Sequence, residues 1–118
     1  MSSKYKFVND GGLHFVTLTV VYWIDLFTRK EYCKTIFDSL TFCEKNKGLK
    51  LYAYCIMPSH LHFIIGSNLE PQENIMRDFK RFASGSLKTE IKNHTGESRK
   101  EWMLALMNKA GKKSSHQR

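Results

Sequence analysis

The fold is decided by residues 50–66, KLYAYCIMPSHLHFIIG, in which two runs with alternating side chains flank a Pro-Ser pair. Alternation with a period of two is typical of strands whose two faces differ. Proline cannot donate a hydrogen bond to a strand ladder, so Pro58 and Ser59 predict a turn. We therefore expect a strand over 50–57 and a returning strand from His60 to about Gly66. In the first strand we expect one face to carry Leu51, Ala53 and Cys55, and the other to carry Tyr52, Tyr54 and Ile56.

The returning strand carries two imidazoles on one side. Residues two apart in a strand project to the same face, so His60 and His62 lie together while Leu61, Phe63 and Ile65 fill the packed side. Neutral imidazole nitrogens bind divalent metals, and this pair would supply half of a metal site. The alternative is that His60 belongs to the turn and His62 is a hydrogen-bonded surface residue.

Residues upstream of the hairpin predict a strand followed by a helix. The strand covers 14–23, HFVTLTVVYW, in which Val16 and Leu18 face the core and His14 shares their side. The spacing of Thr28 and Glu31 is that of a capping box, and it predicts a helix from residue 28 to about 47, closed by Gly48.

Two helical segments follow the hairpin. The first covers 71–92, the second covers about 97–109 with Trp102 in the core, and the polar residues from about 110 to 118 are expected to be disordered. The order of elements predicts an α+β fold, a ferredoxin-like β-α-β-β-α sheet with helices on one face, in one domain over 1–118. A final strand is not visible. The buried stripe expected in the first helical segment is Ile75, Phe79, Phe82, Ala83, Leu87 and Ile91.

The composition of the chain indicates a cellular compartment and a class of binding partner. The three cysteines show no C-x-x-C spacing and are interpreted as buried thiols of a reducing compartment. No apolar run is long enough to cross a bilayer, so we expect a cytoplasmic protein without a membrane partner. The net charge of +8 and the aromatic content of 13% favour nucleic acid as a partner.

A basic face of the helix over 71–92 is the predicted contact with phosphates. Its cations outnumber the acidic residues around them, although a merely solvated face is the alternative. Asp25 is interpreted as a turn former rather than an acid, and His14 as a strand-end residue rather than a metal ligand. The predicted DNA-binding residues are Arg77, Lys80, Arg81, Lys88 and Lys92.

The histidine strand also carries a family resemblance. MPSHLHFII (57–65), preceded by LYAYCI, resembles the H-hydrophobic-H signature of HUH-type tyrosine transposases, the group that includes insertion-sequence-200-like and REP-associated members. HFVTLTVVYWIDLFTRKEY, MRDFKRFASGSLKTEI and SRKEWML resemble other segments of that family, in the same order. The resemblance spans about residues 13–106.

The resemblance implies an HUH endonuclease that acts in DNA transposition and recombination. Such a transposase cleaves single-stranded DNA and transfers the strand through a 5′-phosphotyrosine intermediate. His60 and His62 match the ligands of a divalent cofactor, Mg²⁺ or Mn²⁺, that polarises the scissile phosphate. The implied partner is single-stranded or hairpin DNA, and the implied assembly is a homodimer.

The chain departs from the family at the nucleophile. Family members carry the catalytic tyrosine on a helix after a further strand, whereas the last tyrosine here is Tyr54. We therefore expect a chain cut short before that strand and helix, and inactive as a strand transferase. A catalytically inactive DNA-binding relative fits this absence. The other alternative is a metal-free ferredoxin-like RNA-binding module that stacks bases on Phe15, Tyr52 and Tyr54. A histidine-triad hydrolase is disfavoured because Ile64 stands at its third histidine position.

Overall fold

The protein has an α+β fold, and the computed structural model describes residues 2–4 and 12–116. Its elements are β1 (Ser2–Lys4), β2 (His14–Thr19), α1 (Lys30–Lys47), β3 (Leu49–Ile56), β4 (His60–Ser67), α2 (Gln72–Asn93) and α3 (Lys100–His116). The sheet is antiparallel throughout and has the order β1-β2-β4-β3. Two short 3-10 turns, Val21–Trp23 and Leu26–Thr28, connect β2 to α1.

The predicted β3–β4 hairpin is present, and its turn occupies residues 57–59. Met57 and His60 exchange backbone hydrogen bonds across the turn, with N···O distances of 2.8 and 3.4 Å. The strand predicted over 14–23 is shorter, because the chain leaves the sheet after Thr19 and enters the first 3-10 turn. The sheet also gains β1, a strand that the alternation pattern does not predict.

A β-bulge changes the facing of β3. Leu51 pairs with Ile65, whereas Ala53 pairs with Ile64, so the register shifts by one residue between them. Because an extra residue inverts the alternation of side chains, Leu51 lies on the helix side and Ala53 on the opposite side. The expectation that Leu51 shares a face with Ala53 and Cys55 is therefore wrong.

The helices cover one face of the sheet. Phe63 of β4 and Phe79 of α2 make an edge-to-face ring contact with centroids 5.7 Å apart, and both side chains are buried. Such contacts combine hydrophobic burial with favourable ring electrostatics. The other face, which we call the open face, includes Phe15, Thr17, Thr19, Ala53, Cys55, His60, His62 and Ile64, each exposed or half-buried.

The helix α1 begins two residues later than predicted. Arg29 occupies the N-cap, and no side chain caps the helix. The Thr28 hydroxyl instead donates to the carbonyl oxygen of Asp25, at 3.1 Å. The capping-box prediction is therefore wrong, since the hydroxyl stabilises the preceding turn.

The end of α1 agrees with the prediction and requires glycine. Gly48 adopts a left-handed conformation with φ of 77°, and its N–H donates to the carbonyl of Cys43. A Cβ at Gly48 would clash with the Cβ of Leu69 and would lie 2.5 Å from Asn68 Oδ1. Both the backbone conformation and the surrounding atoms therefore exclude a larger residue.

We expect Gly48→Ala to lower the free energy of unfolding by about 2 kcal/mol, because left-handed strain and the clash act together. Gly85→Ala is the matched control. A Cβ at Gly85, inside α2, meets no atom within 4 Å, so alanine there should raise stability by about 0.5–1 kcal/mol. Urea unfolding of both variants tests the pair, and equal effects of the same sign would contradict this account.

Two aromatic side chains expected in the core, one on α2 and one on α3, are exposed. Phe82 is 49% exposed and stacks on Phe42 of α1, with centroids 5.3 Å apart. Trp102 is also 49% exposed, while Met103 beside it is buried. The expectations of a buried Phe82 and a core Trp102 are therefore wrong. Because α3 continues to residue 116, it includes most of the segment for which a disordered tail is predicted, and residues 117–118 lie outside the described residues.

None of the helices in the described part of the chain combines the length and the apolar character that a bilayer crossing requires.

Candidate metal and nucleic-acid site

The histidine pair lies at the centre of the open face. His62 pairs with Thr17 of β2 on one side and with Cys55 of β3 on the other, and His60 pairs with Thr19. Both imidazoles are half-buried, as expected for side chains on the central strand of a face without a covering layer. The structure thus brings His60 and His62 together on one face, as the alternation predicts.

A hydroxyl contacts the Nδ1 atom of each imidazole. His62 Nδ1 lies 3.2 Å from Thr17 Oγ1, and His60 Nδ1 lies 2.9 Å from Ser59 Oγ. A hydroxyl that accepts a hydrogen bond from Nδ1 fixes the tautomer in which Nε2 carries a lone pair. In that tautomer Nε2 is the atom suited to bind a metal or to accept a hydrogen bond from a ligand, whereas a hydroxyl that donates to Nδ1 leaves the proton on Nε2.

The two rings fit a divalent ion only after a rotation. Their centroids are 6.2 Å apart and their planes are parallel within 4°. The lone pair of a ring nitrogen lies in the ring plane, so stacked rings do not both point at one atom. At least one imidazole must turn about its side-chain bonds for both to bind the same ion. Imidazole favours transition metals over Mg²⁺, so this donor set suits Mn²⁺ better than Mg²⁺.

Cys55 is the nearest additional donor by register. The sequence predicts three buried thiols, but Cys55 is exposed on the open face, while Cys43 is buried and Cys33 is half-buried. Among the described residues, no group of three histidine, cysteine, aspartate or glutamate side chains is arranged to hold a metal. A bound ion would therefore have to complete its coordination with water or with ligand oxygens.

Exposed aromatic rings extend the histidine pair at both ends. The Trp23 ring meets His60 edge-on with centroids 4.6 Å apart, and the Phe15 ring lies 6.0 Å from His62. Trp23 is 70% exposed and Phe15 is 62% exposed. We call Trp23, His60, His62 and Phe15 the ring row. Sequence reasoning missed the place of Trp23, because a residue beyond the end of a strand has no predictable facing.

Beside the ring row the open face forms an apolar depression of about 350 Å³. Its open-face lining includes Phe15, Ala53, Cys55, His62 and Ile64. Among the described residues the open face carries no carboxylate, and the chain has a net charge of +8. Negatively charged ligands therefore meet no like charge on this surface.

The two tyrosines of β3 lie on different sides of the sheet. The Tyr52 ring lies over Gly66, where a Cβ would approach it to 3.2 Å. Tyr54 instead contacts Phe37 of α1, edge-to-face with centroids 5.3 Å apart. The bulge between them explains the difference, and the expectation that Tyr52 and Tyr54 share a face is therefore wrong.

The predicted basic face of α2 lies away from the histidines. The buried side of α2, which includes Phe79, packs on the helix-covered face of the sheet, and the cations occupy the solvent side of that helix. Asp78 binds Arg77 at 3.3 Å, Arg81 at 3.2 Å and Lys47 at 3.0 Å. The hydrogen bond from Lys47 is the main cause that lowers the pKa of Asp78. The structure does not bring Arg77, Lys80, Arg81, Lys88 and Lys92 together with His60 and His62.

A buried carboxylate anchors the segment between the first 3-10 turn and α1. The Glu97 side chain has no exposed surface, and it accepts hydrogen bonds from Tyr32 at 2.9 Å and from Arg29 at 3.0 Å. Arg99 binds both Glu97 and Asp25, so Asp25 belongs to an ion-pair network rather than only to a turn. Burial raises the pKa of Glu97, but the hydrogen bonds from Arg99, Tyr32 and Arg29 outweigh it and lower the pKa to about 2.

His14 does not lie on the same face of the sheet as His60 and His62. Its Nδ1 atom is 2.7 Å from Oε1 of the buried Gln72, which in turn donates to the carbonyl of Gly12. These contacts tie the start of β2 to the start of α2. His14 therefore belongs to the helix side of the sheet, in agreement with its predicted facing.

No protein-family model, curated protein or solved structure matches this chain.

Proposed function

We propose that this chain is a ferredoxin-like DNA-binding domain of the HUH transposase type, whose histidine pair takes a divalent metal. The connection of β2 to β3 through α1, with β4 inserted between them, supports the ferredoxin-like assignment. The observation that carries the function is the pair His60 and His62, which lie together on the open face, each with a hydroxyl at Nδ1.

Each residue has a definite task in this proposal. His60 and His62 would hold the ion, while Ser59 and Thr17 contact the imidazoles at Nδ1 and so orient them. The metal, when bound, polarises a phosphate oxygen as a Lewis acid. The open face accepts a single strand of DNA, since unpaired bases can contact its exposed rings.

DNA cleavage requires a tyrosine hydroxyl at the site, and among the described residues no tyrosine contacts the histidine pair. A covalent phosphotyrosine forms only if a tyrosine hydroxyl lies in line with the phosphate. The sequence carries no tyrosine after Tyr54, and Tyr54 packs against α1. The proposed activity of this chain is therefore metal-dependent binding of single-stranded or hairpin DNA, and strand transfer belongs to the family that it resembles.

We expect the double variant His60→Ala/His62→Ala to lose Mn²⁺ binding and to keep the fold. Both side chains are half-buried on an uncovered face, so removing them opens no core cavity of the kind that costs about 2–5 kcal/mol. Calorimetric titration with Mn²⁺ and a thermal melt measure the two effects. His94→Ala is the matched control, because His94 is half-buried near Tyr32, away from the histidine pair.

Two outcomes of this titration would contradict the metal proposal. Unchanged Mn²⁺ affinity in the double variant would exclude the pair as ligands. An equal loss in His94→Ala would show that the binding measured in the wild type is non-specific.

We expect the chain to bind hairpin or single-stranded oligonucleotides without forming a covalent adduct. Affinity should fall steeply as salt rises, because each phosphate that is neutralised releases condensed counterions. With Mn²⁺ present, a denaturing gel of labelled oligonucleotides should show no shifted band. A band that disappears in Tyr52→Phe or Tyr54→Phe would identify that tyrosine as a nucleophile and overturn the expectation.

A metal-free RNA-binding module is the second candidate, favoured by the exposed aromatic rings. Phe15 lies on the open face, and Tyr52 is 59% exposed beside Gly66. Such rings bind RNA bases by stacking, without a metal. Tighter binding of single-stranded RNA than of DNA, unaffected by Mn²⁺ or by His60→Ala/His62→Ala, would favour this candidate.

A further inference from the structure

The first 3-10 turn holds two consecutive aromatic residues in an unfavourable conformation. Tyr22 and Trp23 have φ of 55° and 56°, in the left-handed region that bulky side chains avoid. Both side chains are nevertheless exposed, Tyr22 by 50% and Trp23 by 70%, so burial does not compensate for the strain. Backbone strain that is not offset by burial of the side chains is characteristic of binding and catalytic sites.

The surrounding structure holds this turn in place from both sides. Val20 and Ile24, which flank the turn, are buried at 3% and 4% exposure. Val20 N–H donates to the carbonyl of Ser59 at 2.9 Å, which ties the turn to the loop that precedes the histidines. Downstream, Asp25 is fixed by Arg99. Buried neighbours and these hydrogen bonds thus hold the indole of Trp23 beside His60.

We propose that Trp23 is a stacking platform for an unpaired nucleobase next to the histidine pair, with Phe15 as the platform at the other end of the ring row. This inference rests on the proposed function and deepens it, because it names the residue that positions the strand. Trp23 is not a catalytic residue, since it places the base and leaves the phosphate to the histidines.

The chemistry of the surface favours a nucleobase as the occupant. Flat aromatic side chains bind bases through stacking that tolerates any base sequence. The hydroxyls of Thr17 and Thr19 lie between the outer rings and can donate to phosphate or sugar oxygens. The part of this face that the structure describes carries no carboxylate, and the net charge of the chain is +8, so the phosphates of the strand meet no like charge there.

Tryptophan fluorescence provides a direct test, because the chain has only two tryptophans. In Trp102→Phe, Trp23 is the sole indole, and we expect oligo-dT to quench its emission. The quenching should show the same dependence on concentration as binding that is measured by the fluorescence anisotropy of a labelled strand. In Trp23→Phe, the remaining Trp102 should not be quenched. A parallel titration with oligo-rU distinguishes DNA from RNA as the source of the base.

Affinity measurements separate stacking from a structural role. Trp23→Ala should weaken oligo-dT binding about tenfold, within the range for loss of one stacked base, and Trp23→Phe should restore most of it. Trp23→Gly should weaken binding as much as alanine yet melt at the wild-type temperature or higher, since glycine adopts a positive φ without strain. Trp102→Ala, which removes an equally large exposed ring from α3, should bind as the wild type does.

The possible failures are distinguishable. If the strand binds by anisotropy but Trp23 is not quenched and Trp23→Ala binds normally, the platform is wrong and the proposed function stands. If no strand binds to the wild-type chain, both are wrong. A lower melting temperature of Trp23→Gly would overturn the assignment by showing that the indole stabilises the fold.

Discussion

Replacing Glu97 with alanine should destabilise the domain by about 3–5 kcal/mol, the range observed when one partner of a buried ion pair is removed. The Glu97 carboxylate has no exposed surface and accepts hydrogen bonds from Tyr32, Arg29 and Arg99. Its removal leaves the Tyr32 hydroxyl without an acceptor inside the protein. Urea unfolding at neutral pH measures the loss, and Glu101→Ala, in the exposed first turn of α3, is the control that should change stability by less than about 0.5 kcal/mol.

The same carboxylate gives the domain a defined response to acid. Its pKa is lowered from 4.5 to about 2 in the folded protein, so the stabilisation is fully present above pH 4.5 and is lost as the pH falls through about 2. The corresponding change in the free energy of unfolding is about 3 kcal/mol. Glu97→Gln should remove this component of the pH dependence. An acid titration of stability that is unchanged in Glu97→Gln would show that the carboxylate is not responsible.

Replacing Phe79 with alanine should lower the free energy of unfolding by about 3–5 kcal/mol, because the cavity left in the core adds to the lost burial. Phe79 is fully buried, and its ring packs edge-to-face on Phe63 of the histidine strand. Phe82→Ala is the matched control, with the same substitution on the same helix. Phe82 is 49% exposed and stacks on Phe42, so its loss should cost about 1 kcal/mol.

Thermal and urea unfolding of the two phenylalanine variants should therefore differ by several kcal/mol. Similar losses in both would mean that Phe82 is packed more tightly than its exposure indicates. Binding of Mn²⁺ should be unaffected by Phe82→Ala, because this ring lies between the two helices and not on the open face.

The hairpin and the helices follow from local sequence signals. Pro58 and Ser59 interrupt the alternation at the observed turn, and Gly48 supplies the left-handed residue that ends α1. The shared face of His60 and His62 likewise requires only the two-residue period of a strand. These features depend on residues close in sequence, and that is why they could be predicted.

The features that the sequence did not reveal depend on distant contacts. The bulge in β3 is a property of its pairing with β4. The sequence of β3 alone therefore does not predict that Tyr52 and Tyr54 lie on different faces of the sheet. The buried Glu97 has partners 65 and 68 residues away. From the sequence alone, its charge predicts a position on the surface. The place of Trp23 beside His60 likewise depends on how two separate loops meet.

Under the proposed function, the positions of the histidine pair and of the basic side of α2 have a consequence for the length of the DNA strand. These surfaces lie on opposite sides of a domain whose smallest extent is 22 Å. A strand with the stacked spacing of 3.4 Å needs about seven nucleotides to cover that distance, and more to pass round an edge. Shorter oligonucleotides can occupy only one surface, whereas longer ones can occupy both and gain affinity by avidity. If the proposed function holds, the contour length of the strand, more than its base composition, determines how many of the protein's cations take part in binding.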